Sequence, residues 1–98
     1  MTRTEKYEII SKLRGAKPSI IRRFPVQRLA LFGSWAREDA TPRSDIDILV
    51  EVDPSIGLGF VDLANYLESI LGRPVDLVSR RAIRPELWST IEPELIDV

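Results

Sequence analysis

Residues 45–52 carry the clearest pattern in the chain, a period-two alternation. Ile46, Ile48, Val50 and Val52 fall to one side, and Asp45, Asp47, Leu49 and Glu51 to the other, as expected of a strand. Val26–Phe32 is a short, mostly apolar run and reads as an earlier strand. Pro74–Ser79 reads as a third, with Val75 and Leu77 on one face and Asp76 on the other. Phe60, Leu63, Ala64, Leu67, Ile70 and Leu71 instead recur at helical spacing over three turns, with Gly72 as the stop. Near the N-terminus, Thr2 and Glu5 form a capping box opening a helix whose face holds Ile9, Ile10 and Leu13, and Gly15 closes it. Pro18 then opens a second short helix with Ile20, Ile21 and Phe24, which Pro25 ends. Trp35–Glu38 starts a helical turn, and Ala40–Ser44, with Pro42, is a loop. Pro85 opens a last helix bearing Leu87, Trp88 and Ile91, ended by Pro93. Helices and strands alternate, which predicts an α/β (α+β) fold: about four helices packed on a three-stranded sheet.

Composition narrows the possibilities. Ninety-eight residues with 44% hydrophobic and 30% charged side chains suit one soluble domain spanning 1–98, with no repeat, low-complexity stretch or linker. At this length about two-thirds of the unfolded surface is buried on folding, so a partner subunit could supply what the core lacks. The net charge of -1 argues against a dedicated DNA-binding module, which carries a basic excess. It leaves open nucleotide binding through a metal ion, which brings its own positive charge. Cysteine and histidine are both absent. That removes disulfide frameworks, thiolate zinc sites, Ser-His-Asp triads and His-based acid–base catalysis. Any chemistry has to run on carboxylates, hydroxyls, Lys and Arg. The N-terminus has no signal-peptide character, and no apolar run is long enough to span a bilayer, so a cytoplasmic location is expected.

The carboxylates are the candidates. Asp45 and Asp47 lie two apart on one strand face, roughly 6–7 Å apart at their backbones. They are either part of a solvated face or the oxygen ligands of a hard divalent cation that offsets their repulsion. Asp76 sits mid-strand among Val75, Leu77 and Val78. If the third strand pairs beside the second, Asp76 joins the cluster; alone, it is a sheet-edge carboxylate. Three carboxylates at one spot suit two metal ions about 3.5–4 Å apart, an arrangement used in nucleotidyl transfer. Gly33-Ser34 follows a strand and precedes a helical turn, where backbone and hydroxyl can hold phosphate oxygens, although Gly-Ser is also an ordinary turn. There is no Walker loop, and Gly57-Leu58-Gly59 lacks the setting of a dinucleotide fingerprint.

Gly33-Ser34, ten intervening residues and then Asp45-Ile46-Asp47 resemble the signature of the DNA polymerase beta-like nucleotidyltransferases. The stretches Leu29–Arg37 and Ser44–Val50 look like the minimal (MNT) branch, and Gly72–Val78 resembles its third-carboxylate strand. The resemblance runs from about Lys17 to Ile91. It implies a nucleotidyltransferase fold with a mixed sheet, and two magnesium ions held by Asp45, Asp47 and Asp76 as the catalytic carboxylates. It also implies ATP as substrate, bound by Gly33 and Ser34, with Arg37 and Ser44 as further nucleotide-binding candidates. Small MNT proteins resemble the antitoxin of HEPN/MNT toxin–antitoxin pairs, in which AMP passes from ATP to a tyrosine of the HEPN ribonuclease. The chain has no room for a substrate domain, so a HEPN-type partner presenting the acceptor, in a possible oligomer, is the expectation. Rival readings are transfer to a small molecule or RNA end, or a non-catalytic antitoxin that neutralises by docking.

Other features divide between function and packing. Arg37 and Arg43 could touch phosphate or be solvated. Arg73, Arg80, Arg81 and Arg84 form a basic rim or scattered surface charge, with the second reading favoured. Trp35 and Trp88 could stack on a base, but packing is the commoner use of Trp.

Overall fold

The computed structural model describes residues 3–98. Thr2, half of the expected capping box, lies outside them. The chain forms α1 (Arg3–Arg23), β1 (Val26–Phe32), α2 (Gly33–Arg37), β2 (Ile46–Val52), α3 (Gly59–Leu71), β3 (Val75–Ser79), α4 (Pro85–Ile91) and β4 (Ile96–Asp97), with 3-10 turns at Pro54–Ile56, Arg80–Ala82 and Glu92–Glu94.

Two expectations are corrected. The N-terminal segment is one helix of 21 residues, not two, and Pro18 lies inside it. Ile9, Ile10, Leu13, Ile20 and Phe24 are all buried in one cluster, so burial of a continuous face outweighs the local breaking tendency of Gly15 and Pro18. Ile21, placed with them from sequence, is instead exposed. The sheet has four strands rather than three, in the order β3-β2-β1-β4. The added strand, β4, pairs antiparallel with β1 at Ala30–Asp97 and Leu31–Ile96. Arg28 secures it with two hydrogen bonds to the Asp97 carboxylate, at 2.8 and 3.2 Å.

The sheet is mixed: β1 and β2 are antiparallel, β2 and β3 parallel. Its alternation divides two apolar clusters. Leu29, Leu31, Ile46, Ile48 and Val50 pack with α1 and with Leu63, Leu67 and Leu71 of α3. Ala30, Phe32 and Leu49 pack with Ile83 and, around α4, with Trp88 and Ile91. The parallel β2–β3 pair requires a crossover, which α3 supplies. Gly72 ends α3 in the left-handed conformation, φ 68°, returning the chain beside β2.

Candidate functional site

Asp47 and Asp76 stand directly opposite each other across the β2–β3 pair. Side chains of such opposed residues leave the same face of the sheet. The parallel pairing therefore brings together carboxylates that lie far apart in sequence. The two groups are close enough to share a hydrogen bond, and the Asp47 carboxyl is pushed up from 3.8 to about 6. Burial is the main cause, with the charges of Asp76 and Asp45 and the bond to Asp76 acting the same way, while Arg37 opposes them. Asp45 precedes β2 and is exposed, as is Asp76. Among the described residues no three acidic side chains converge closely enough to hold a metal ion as they stand. The fold supplies the Asp47–Asp76 pair, with Asp45 in electrostatic reach.

Gly33 begins α2 immediately after β1. Its φ is +74°, and a Cβ built there would collide with the Asp47 carboxylate. Glycine is required twice over, by the backbone conformation and by the approach of Asp47. Ser34 is half-buried. The turn begins at extended Phe32 with no side-chain cap. At its other end the Lys6 ammonium donates to the Ala36 carbonyl at 2.9 Å.

Arg37 is exposed and committed to carboxylates. Its guanidinium donates to Glu94 at 2.7 Å and to Asp39 at 3.2 Å, and these bonds raise its pKa, Glu94 contributing most. Ser44 is occupied by the loop before β2. Its hydroxyl accepts from the Thr41 amide at 2.9 Å, and its amide donates to the Thr41 carbonyl at 3.0 Å. The structure thus places Gly33, Ser34, Asp45, Asp47 and Asp76 around one end of β2, with Arg37 alongside and Ser44 in the supporting turn.

The tryptophans, with Arg73 and Arg80, are packing elements, whereas Arg81 and Arg84 are exposed. Trp35 is 1% exposed, and the Arg73 guanidinium lies 4.7 Å from the centre of its ring. Arg80 lies 3.7 Å over Trp88. Trp35 also donates its indole N–H to the Ser44 carbonyl at 3.2 Å. Sequence reading missed this bond and the Arg37–Glu94 pair. Glu94 lies 57 positions from Arg37, and no local signal connects them. A cleft of about 430 Å³ lined by Arg23, Phe24, Asp62, Asn65 and Tyr66 lies beyond the opposite end of β1, away from the carboxylates.

Comparison with known proteins places the chain in a family. The family described as "Nucleotidyltransferase domain" matches residues 13–98. MJ1379 of Methanocaldococcus jannaschii, whose name marks it provisionally as a protein adenylyltransferase, is 43% identical over 96 residues, covering 93% of this chain and 95% of its own. The protein adenylyltransferase MntA of Thermococcus cleftensis is 39% identical, with 93% of both chains covered. Among solved structures, one described provisionally as a minimal nucleotidyltransferase superposes with a TM-score of 0.79 at 35% identity, covering 93% of this chain and 94% of that one. A toxin–antitoxin structure with AMP-PNP gives 0.65 at 30% identity, covering 94% and 70%. The complex of a tri-AMPylated Shewanella oneidensis HEPN toxin with its MNT antitoxin gives 0.57 at 28%, covering 99% and 71%. With the family matched over residues 13–98 and relatives 39–43% identical across 93% of the chain, the chain belongs to the nucleotidyltransferase domain family, in its minimal, MntA-like branch.

Proposed function

We propose that this chain is an antitoxin that transfers AMP from ATP to a tyrosine of a partner HEPN-type toxin, using magnesium, in the cytoplasm. One observation carries the reading: the in-register opposition of Asp47 and Asp76 beside the Gly33-Ser34 turn. It sets two carboxylates against a backbone able to meet phosphate. The name of MntA and the AMPylated toxin bound to an MNT antitoxin support the choice of donor and acceptor.

In chemistry the donor set suits magnesium, and Asp45 and Asp76 would have to draw in toward Asp47 to hold it. Asp45, Asp47 and Asp76 are hard oxygen ligands, and Asp47 is held at a raised pKa by burial and like charge, a strain that a divalent cation relieves. Held by Asp45, Asp47 and Asp76, magnesium would neutralise phosphate charge and polarise the α-phosphorus. Gly33 lets the Asp47 carboxyl lie against the turn, and the Ser34 hydroxyl donates to a phosphate oxygen. Arg37 reaches phosphate by exchanging Glu94 or Asp39 for it. Ser44 holds the loop that aims Asp45. The tyrosine oxygen attacks the α-phosphorus, the bond to the β-phosphate oxygen breaks, and pyrophosphate leaves. The phenolic proton passes to the exposed Asp76 carboxylate. The products are an AMP–tyrosine phosphodiester and pyrophosphate. Residues 1–98 act as one minimal domain, and the partner presents the acceptor.

The test incubates the chain with ATP labelled at the α-phosphate, magnesium and a HEPN-type toxin encoded beside its gene. Label is expected on a toxin tyrosine and is lost with Asp45→Ala or Asp47→Ala. Neutralisation that survives both substitutions without label would favour docking. Label on RNA or a small molecule instead would move the acceptor elsewhere.

A further inference from the structure

Trp35 meets three segments that carry the site. It follows Ser34 directly in the chain. Its indole N–H reaches the carbonyl of Ser44, the residue before Asp45, at 3.2 Å. Its buried ring lies under Arg73 at 4.7 Å, one residue before Pro74, whose carbonyl accepts from the Ile46 amide at 3.0 Å. Ile46 sits between Asp45 and Asp47, and Asp76 follows Pro74 by two residues. The Ser44 carbonyl has no other hydrogen-bond donor among the described residues, so the indole adds a tie from the Gly33-Ser34 turn to the residue before Asp45, beyond the pairing of Phe32 with Asp47.

We propose that Trp35 is a positioning residue for nucleotidyl transfer. Its N–H sets the spacing between the phosphate-binding turn and Asp45, and its ring, beneath Arg73, sets the start of β3 against both. The inference rests on the adenylyl-transfer reading, because it assigns Asp45 and Ser34 to metal and phosphate. Outer contacts of this kind typically change metal affinity or activity by about 10–100-fold when removed.

Trp35→Phe keeps an aromatic ring and deletes the donor. Three quantities are to be measured: calorimetric affinity for AMP-PNP across a magnesium series, kcat for label transfer at saturating magnesium, and melting temperature. The magnesium needed for half-maximal AMP-PNP binding is expected to rise by about tenfold, and kcat to fall by about tenfold. An Ile20→Val core variant with a similar loss of melting temperature should keep wild-type magnesium dependence. Equal magnesium dependence in folded Trp35→Phe and wild type overturns the proposal, as does an Ile20→Val shift equal to that of Trp35→Phe. Should Trp35→Phe not fold, Arg73→Met decides. It leaves the N–H in place and removes the cation from the ring, and a shift of several-fold in the same direction is expected; wild-type behaviour refutes the proposal. Wild-type protein that binds no AMP-PNP with magnesium overturns the nucleotide reading itself, and the role of Trp35 with it.

Discussion

Asp47 gives a prediction that separates catalysis from stability. An acid whose folded pKa is raised holds its proton more tightly folded than unfolded, so the folded state gains stability when that acid is protonated. Asp47 moves from 3.8 to about 6. Its stability contribution is therefore present below about pH 4 and lost as pH rises through about 6, leaving the ionised group as a liability at neutral pH. At about 1.4 kcal/mol per tenfold the full movement corresponds to about 3 kcal/mol. Asp47 is only partly buried, and solvent screening reduces this to roughly 1–2 kcal/mol. Asp47→Asn removes the charge and keeps the shape. Without metal at pH 7.5 it should melt about 5–10 °C above wild type, while label transfer falls by more than about 100-fold. Near pH 4 the gap should close, and magnesium should raise the melting temperature of wild type more than that of the variant. Melting curves at both pH values test this. A variant less stable than wild type at pH 7.5, or a gap of the same size at pH 4, would refute the electrostatic account.

Two glycines make an opposed pair. Gly33→Ala puts a Cβ into the Asp47 carboxylate at a φ of +74°, and should cost about 1–3 kcal/mol with near-complete loss of transfer, measured by denaturant melts and label transfer. Gly15→Ala, inside α1 with nothing within 4 Å of the added atom, should stabilise by about 0.5–1 kcal/mol and leave kcat unchanged; a loss of stability would contradict the continuous helix.

The fold class and the grouping of the candidate carboxylates were legible in the sequence, and the extent of α1 and the strand β4 were not. The alternation of Asp45 and Asp47 with Ile46 and Ile48 placed the carboxylates on one face; β2 runs from Ile46 to Val52, with Asp45 just ahead of it. Asp76 was legible as a misplaced charge in an apolar strand, and the parallel register gives it a partner. The continuity of α1 was hidden because Gly15 and Pro18 are local signals, while the face joining Ile9, Leu13, Ile20 and Phe24 is stabilised only by tertiary burial. β4 was hidden because two residues cannot display an alternation, and its tether from Arg28 spans 69 positions. The Arg37–Glu94 pair and the Trp35–Ser44 bond depend on where loops close, which composition does not encode.

The crossover through α3 has a consequence for how such a chain can vary. Strand side chains alternate, so adding or removing one residue between Gly72 and Val75 would bring Val75 or Leu77 opposite Asp47 in place of Asp76. Three tethers hold that parity: the left-handed Gly72, the Ile46 amide on the Pro74 carbonyl, and the Val75 amide on the Glu68 carboxylate at 2.8 Å. The turn before α3 does not set that parity, and Leu58 within it is 88% exposed. Lengthening at residues 53–58 leaves the β2–β3 register alone, whereas inserting or deleting one residue at 72–75 would break the opposition of Asp47 and Asp76 without touching either carboxylate.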